Sequence, residues 1–416
     1  MKVFKFGGAS VKDASGIKNL VSVLQQVGYD NTLIVISAMG KTTNALEVVI
    51  SNYFNDKSQL QSALQEVIKY HNQILLDIFE SDQHPVFIQV KTLFEELNLF
   101  LKTNKSPDYN FVYDQVIGFG ELVSTTIVSA YLDAVGISNN WLDVRQLIKT
   151  DDYYRRANVN WEATQQQISQ LVNTKQLNIT QGFLGSDKNN FTTTLGREGS
   201  DYTAAIFAYC LNAQSVTIWK DVPGVLNADP RYFNNAQLLK TISYHEAIEL
   251  AFYGASVIHP KTLQPLQGKE IPLYVKSFLQ PQNEGTVVKK YKGIEPEVPC
   301  FILKQNQVLI SLSTLDFSYV VEENISEIFN LLSKFKMKVD VIQNSAISFS
   351  VCFENNYNNL EPLLLHLKAK FKVTCHDNVS LYTIRHFNDQ AIQNLEKGKS
   401  VLLKQMYQNT VQIVTK

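Results

Sequence analysis

The chain of 416 residues is 45% hydrophobic and 19% charged, with a formal net charge of −1. That length leaves room for two or three domains and a large core, and 23 Phe, 19 Tyr and 3 Trp spread along it argue against wholesale disorder. The balanced charge gives no general electrostatic pull toward nucleic acid or an acidic membrane.

The opening MKVFKFGG lacks the apolar region of a secretory signal, and no apolar run is read as reaching the ~20 residues that span a bilayer. Cys210, Cys300, Cys352 and Cys375 form no CxxC pair, which predicts buried reduced thiols without zinc. These features predict a cytoplasmic protein.

Val3, Phe4 and Phe6 predict a short strand broken by Gly7-Gly8, and Ile17, Leu20, Val21, Leu24 and Val27 then recur at helical spacing. TLIVIS, residues 32–37, is a second apolar strand. Such alternation predicts a parallel α/β sheet with ligands at the carboxyl ends of its strands. From about 55 to 115 two helical stripes follow, one of Leu60, Leu64, Val67, His71, Ile74 and Ile78, the other of Val90, Leu93, Phe94, Leu97 and Leu101. They read as a helical insertion within an N-terminal α/β domain of residues 1–290. The α/β pattern resumes at FVYDQVIGFGELVST and runs through NITQGFLG, a helix from about Tyr202 to Leu211, and SVTIWKDV. KKYKGIEPEVP lacks periodicity and carries two prolines, so 291–299 reads as a linker. Beyond it, strands and helices in βαββαβ-like order predict a separate α+β region over 300–416, in which Ile347, Phe349, Val351 and Phe353 alternate as in a half-buried strand.

KFGGAS sets a lysine at a strand end and two glycines before a helix. Glycines admit a phosphate close to the backbone, and a helix N-terminus favours anions. An ordinary βα turn with a surface lysine has the same sequence. SAMGKTTN ends like a P-loop, but Val35 stands where the first glycine must be, so no amide cradle is expected there. Its Ser37 and Thr43 suit either a carboxylate or helix capping. In TTTLGREGSDYTAA, Arg197 can grip a carboxylate or make a surface ion pair, and Asp201 sits where a helix N-cap is expected. IWKDVPGVLNADPR offers Lys220, Asp221 and Arg231 to a nucleotide, although a capped Pro-Gly turn explains it equally. Glu121 in GFGELVS suits an ammonium group or a helix cap. The histidines show no zinc spacing, and His259 before Pro260 reads as a packed loop residue.

Taken in order, KFGGAS, SAMGKTTN, GFGELVST, ITQGFLGS, TTTLGREGSDYTA, IWKDVPGVLNADPR and GASVIHPKTL resemble the signatures of the aspartate kinases of the amino-acid kinase family, which open with KFGGTS. The resemblance covers essentially the whole chain. It implies a three-layer α/β sandwich with a parallel-rich central sheet, followed by interleaved ferredoxin-like ACT modules, the second without its final helix. It also implies transfer of the γ-phosphoryl of MgATP to the β-carboxylate of L-aspartate, the first step of lysine, threonine and methionine synthesis. Mg²⁺ is expected to arrive with ATP rather than in a protein cage.

By the same resemblance Lys5 and Asp201 are catalytic. Lys5, Gly7, Gly8, Lys220, Asp221, Arg231, Ser256 and Val257 meet the nucleotide, and Ser37, Thr43, Glu121, Arg197 and Ser200 hold aspartate. Asp340, Asn344 and Ser345 in VDVIQNSAIS correspond to a regulatory strand and loop for a lysine or threonine effector, and the ACT region implies a homodimer. Ala9 stands where the family usually has threonine, Glu198 where it has glycine, and Ser256 where many members have lysine. Lys220, often threonine in the family, is expected to restore that charge. Two other readings stay open on the residues: a kinase for glutamate or an acylated amino acid, and an inactive sensor that binds amino acids through its ACT modules.

Overall fold

In the computed structural model, which describes residues 1–255, 258–316, 318–355 and 358–416, the run TLIVI forms strand Thr32–Ile36 with all five residues buried. Burial on both faces is what an unbroken apolar strand requires. It pairs in parallel with Lys2–Phe6 and Asn178–Gln181, and Lys2–Phe6 pairs in parallel with Ser215–Lys220. The full sheet has nine strands, in the order Ile294–Glu295, Thr241–Ser243, Thr286–Lys289, Leu273–Ser277, Ser215–Lys220, Lys2–Phe6, Thr32–Ile36, Asn178–Gln181 and Asn140–Leu142. Thr286–Lys289 runs antiparallel to Leu273–Ser277.

Two helical layers cover this sheet, and the period-2 alternation of strand side chains decides which residue meets which layer. Phe4, Phe6, Ile34, Ile36 and Ile179 join a core with helices Ala14–Val27, Thr42–Asn55 and Phe119–Ala134. Lys5 points the other way, to the layer holding helix Gly199–Leu211. The predicted helical insertion comprises Lys57–Ile78, Val86–Thr103 and Tyr109–Ile117. Most of its stripe residues are buried in the same core as the sheet's Phe6 and Ile36, with Leu93 half-buried against it, so the insertion extends that core. By length and composition alone, the helical stretch Tyr109–Ala134 is long and apolar enough to cross a bilayer. Its most apolar stretch is 72% buried, as befits a core helix that is apolar nearly all round.

By packing, the chain divides into two compact units. The first comprises Met1–Val225, Leu238–Ile248 and the stretch ending at Ile294; the second takes Leu226–Gln237, a segment beginning at Glu249, and Glu295–Lys416. The stretch read as a linker contributes the two-residue strand Ile294–Glu295, with Ile294 buried.

The second unit is built on an antiparallel six-stranded sheet in the order Lys338–Asn344, Phe349–Glu354, Cys300–Thr314, Phe371–Arg385, Thr410–Thr415 and Val401–Tyr407. Cys300–Thr314 and Phe371–Arg385, 15 residues each, pair along their length with register shifts near Gln307. Each long strand therefore runs through both halves of the sheet, Cys300–Thr314 pairing with Phe349–Glu354 and Phe371–Arg385 with Thr410–Thr415. Helices Glu322–Lys334 and Leu360–Lys368 bury Ile328, Leu332, Leu363 and Leu367 against one half of the sheet. The other half packs helix Asp389–Glu396 through Ile392 and Leu395. All four cysteines are free thiols, three of them buried.

Candidate functional site

Lys5 is the last but one residue of its strand, 8% exposed, and its Nζ lies 2.7 Å from Asp201 Oδ1. Lys220, at the end of the neighbouring parallel strand, brings Nζ to 3.8 Å from Asp201 Oδ2. Burial pushes the Asp201 carboxyl upward, but the ammonium groups of Lys5 and Lys220 outweigh it and hold the group below the usual carboxylate range. A buried anion is thus flanked by two cations at the carboxyl ends of two adjacent strands.

Asp201 is not the N-cap that its position in the sequence suggests. Helix Gly199–Leu211 starts earlier, and Asp201 lies in its first turn, with its carboxylate committed to the lysines. The N-cap is Glu198 at φ 54°, ψ 29°. A left-handed backbone there accounts for glycine being the usual residue of the family's motif at this point. One Glu198 carboxylate oxygen, Oε2, is buried and unpartnered.

Two glycine loops close on the lysine. A Cβ on Gly7 would lie 3.3 Å from Lys5 Nζ, and one on Gly8 would lie 2.7 Å from Ala38 O and 2.9 Å from Gly40 O. Gly8 therefore allows the loop after the first strand to press onto the loop after the second, and the Gly40 N–H donates to Gly8 O at 3.0 Å. Ala38 in turn donates its N–H to Glu121 Oε1 at 3.3 Å. Glu121, in the first turn of Phe119–Ala134, is 3% exposed and its Oε2 has no partner. Burial pushes this carboxyl up to about 8.

Ser37 is half-buried, and its carbonyl accepts from Ser124 Oγ at 2.8 Å. Thr43 lies in the first turn of Thr42–Asn55. Ser200 is buried beneath Gly182, where a Cβ would come within 2.4 Å of Ser200 Cβ. Arg197 is exposed, and among the described residues no carboxylate pairs with it. Asp221 is exposed in the turn after its strand.

The remaining sequence candidates stand elsewhere. Arg231 belongs to the second unit, where Asp229 accepts from its Nη2 at 2.6 Å and from its Nε at 3.1 Å. Ser256 and Val257 lie outside the described residues. Asp340 is paired with Lys304 at 2.7 Å, and Lys304 also meets Glu354 at 3.5 Å. Asn344 and Ser345 are exposed. His259 caps helix Pro260–Gly268, its Nδ1 accepting from the Lys261 N–H.

Asp114 escaped the sequence reading. Fully buried, it accepts from the Arg155 N–H at 3.0 Å, the Thr194 N–H at 2.8 Å and Thr194 Oγ1 at 2.8 Å, anchoring the strand that leads to Arg197. A lone acid within the apolar helical run FVYDQV was the available signal, since such a group needs buried donors.

Residues 1–277 match the amino acid kinase family. The chain is 30% identical to the lysine-sensitive aspartokinase 3 of Escherichia coli K12, covering 92% of this chain and 86% of that one. It is 27% identical to a chloroplastic bifunctional aspartokinase/homoserine dehydrogenase of Daucus carota, of which it spans 42%. The E. coli aspartokinase III structure with lysine and aspartate superposes with a TM-score of 0.84 at 27% identity, covering 100% of this chain and 95% of that one. The same enzyme with aspartate and ADP gives 0.81 at 26% identity, covering 100% and 96%. With this coverage, and with the buried lysine–aspartate pair and glycine loops set at the strand ends, the chain belongs to the amino acid kinase family, in its aspartokinase branch.

Proposed function

We propose that the protein phosphorylates L-aspartate, taking the γ-phosphoryl of MgATP onto the β-carboxylate to give 4-phospho-L-aspartate and ADP. The observation that carries this reading is Asp201 held between Lys5 and Lys220 beside the Gly7-Gly8 loop. A carboxylate with a pKa of about 4 is ionised at neutral pH, so its oxygen attacks the γ-phosphorus without a general base. The bond from phosphorus to the β,γ-bridging oxygen breaks, and ADP leaves. What the protein must supply is alignment of two anions and cancellation of their repulsion.

Lys5 neutralises the phosphoryl group in flight, Asp201 orients Lys5, and the loop amides after Gly7 and Gly8 face the phosphates. Lys220 adds the second cation on the nucleotide side, with Asp221, Ser256 and Val257 assigned beside it; Arg231, paired with Asp229, is left out of that end. Glu121 takes the substrate ammonium, which its unpartnered Oε2 suits and which an acylated amino acid lacks. Arg197 grips the α-carboxylate, with Ser37, Thr43 and Ser200 beside it. Magnesium enters as part of the MgATP substrate, consistent with the buried carboxylate of the site being occupied by lysines.

The E. coli relative was solved with lysine and aspartate in one state and with aspartate and ADP in another. By that likeness the ACT region here is read as binding lysine near Asn344 and Ser345, threonine being the other candidate, and as joining two copies. The test is hydroxylamine trapping with MgATP and L-aspartate. Aspartyl hydroxamate from the native protein and none from Lys5→Ala supports the assignment; product only with glutamate or acylated substrates overturns it.

A further inference from the structure

Helix Lys57–Ile78 lies outside the α/β sandwich in sequence, yet two of its consecutive side chains reach the glycine loops. Tyr70 donates its hydroxyl to Lys12 O, just past the Gly7-Gly8 loop. The same hydroxyl lies 2.5 Å from where a Cβ on Gly40 would stand. Gly40 has φ 53°, and its N–H donates to Gly8 O. One phenol oxygen thus bonds the end of the first loop and packs over Gly40, the residue through which the second loop is hydrogen-bonded to the first.

His71, the next residue, is fully buried. Its Nδ1 lies 2.7 Å from Val67 O, an atom that only accepts, so Nδ1 carries the ring hydrogen. Nε2 then presents a lone pair to Thr42 Oγ1 at 3.3 Å. The Thr42 hydroxyl donates its one hydrogen to Met39 O at 2.6 Å, so the imidazole nitrogen backs Thr42 Oγ1 as the longer, secondary polar contact. Met39 and Thr42 bracket Gly40, and Thr42 begins the helix that carries Thr43. A buried imidazole thereby fixes the second loop from behind, while Tyr70 fixes its junction with the first.

We infer that Tyr70 and His71 are positioning residues for phosphoryl transfer, clasping loop 7–12 to loop 37–43 so that the groups around Lys5 are held ready for the phosphates. The inference rests on the kinase reading above. It assigns the helical insertion a part in catalysis through two contacts that leave the substrates untouched.

Tyr70→Phe removes one oxygen from a partly exposed ring, so the fold is expected to survive with an unchanged thermal midpoint. The expected result is a fall of about tenfold in kcat for hydroxamate formation, and weaker calorimetric binding of MgADP, because small misplacements of reacting groups are costly. Unchanged kinetics and MgADP affinity, or a lowered midpoint with unchanged kinetics, overturns the inference for Tyr70. At position 71, His71→Gln keeps a polar group toward Thr42, and His71→Leu removes it. Gln is expected to retain several-fold more kcat than Leu; equal activity overturns the inference for His71. Should His71→Leu not fold, His71→Gln is compared with wild type, and a kcat unchanged while the midpoint drops overturns it equally. Wild-type protein that makes no hydroxamate sinks the aspartate reading, whereas MgADP affinity in Tyr70→Phe tests the clasp independently of the acceptor.

Discussion

Lys220 holds its ammonium group 3.8 Å from Asp201 Oδ2, while the other oxygen of the same carboxylate is 2.7 Å from Lys5. One buried anion therefore organises two cations at the carboxyl ends of two adjacent parallel strands.

Replacing Lys220 removes the outer of these cations and leaves the Lys5–Asp201 pair intact. Lys220→Thr is expected to raise the KM for MgATP by about tenfold, the scale of one charge-assisted hydrogen bond. The KM for aspartate is expected to move by less than about threefold, since Lys220 pairs with Asp201 on the side assigned to the phosphates. Steady-state kinetics with each substrate varied checks this, and an unchanged ATP KM would refute the compensating role.

Glu121 sets a pH dependence. Burial raises its carboxyl from an ordinary 4.5 to about 8, so the free protein carries it protonated at pH 7. In the proposed role Glu121 meets the substrate ammonium in its ionised form, so the aspartate KM is expected to fall as pH rises from 6.5 toward 8.5 and then to level. Stability runs the opposite way. The folded chain keeps a proton that the unfolded chain releases above its ordinary value, so this group's contribution declines as pH rises from 4.5 to 8. Glu121→Gln is expected to raise the aspartate KM by about ten- to a hundredfold and to flatten both profiles; kinetics and urea midpoints at pH 6 and 8 report them separately.

Asp114 accepts three hydrogen bonds without exposure to water, and burial lifts its carboxyl to about 6. Asp114→Asn turns an NH₂ group toward backbone donors. The expected outcome is a loss of about 1–3 kcal/mol in stability, with a higher aspartate KM because the strand it anchors leads to Arg197. A thermal melt combined with kinetics checks both parts.

In the second unit Asp340 and the loop beside it are expected to separate. Asp340 is tied to Lys304 inside the sheet, so Asp340→Asn is expected to lower the thermal midpoint without any effector present. Asn344→Ala and Ser345→Ala sit on exposed backbone and are expected to leave the midpoint alone while weakening inhibition by lysine. Inhibition retained at wild-type concentration in both alanine variants would remove the loop from the effector site.

Several parts of this protein are legible in its sequence because they depend on neighbours along the chain. Apolar TLIVI determines a strand buried on both faces, the Leu60-to-Ile78 stripe determines a helix with one buried face, and the Ile347–Phe353 alternation points to strand Phe349–Glu354. The glycines of KFGGAS and the order of the motifs are similarly one-dimensional. The tertiary structure alone decided which charges meet. Asp201 reads locally as a cap and folds as the partner of Lys5 and Lys220, because parallel pairing sets strands from distant parts of the chain side by side. Arg231 reads as a nucleotide ligand and folds onto Asp229, two residues away, a contact that sequence spacing permits and does not require. Tyr70 and His71 carry no motif at all; their reach to Lys12 and Thr42 comes from helix packing, which periodicity orients toward a core without naming what lies there.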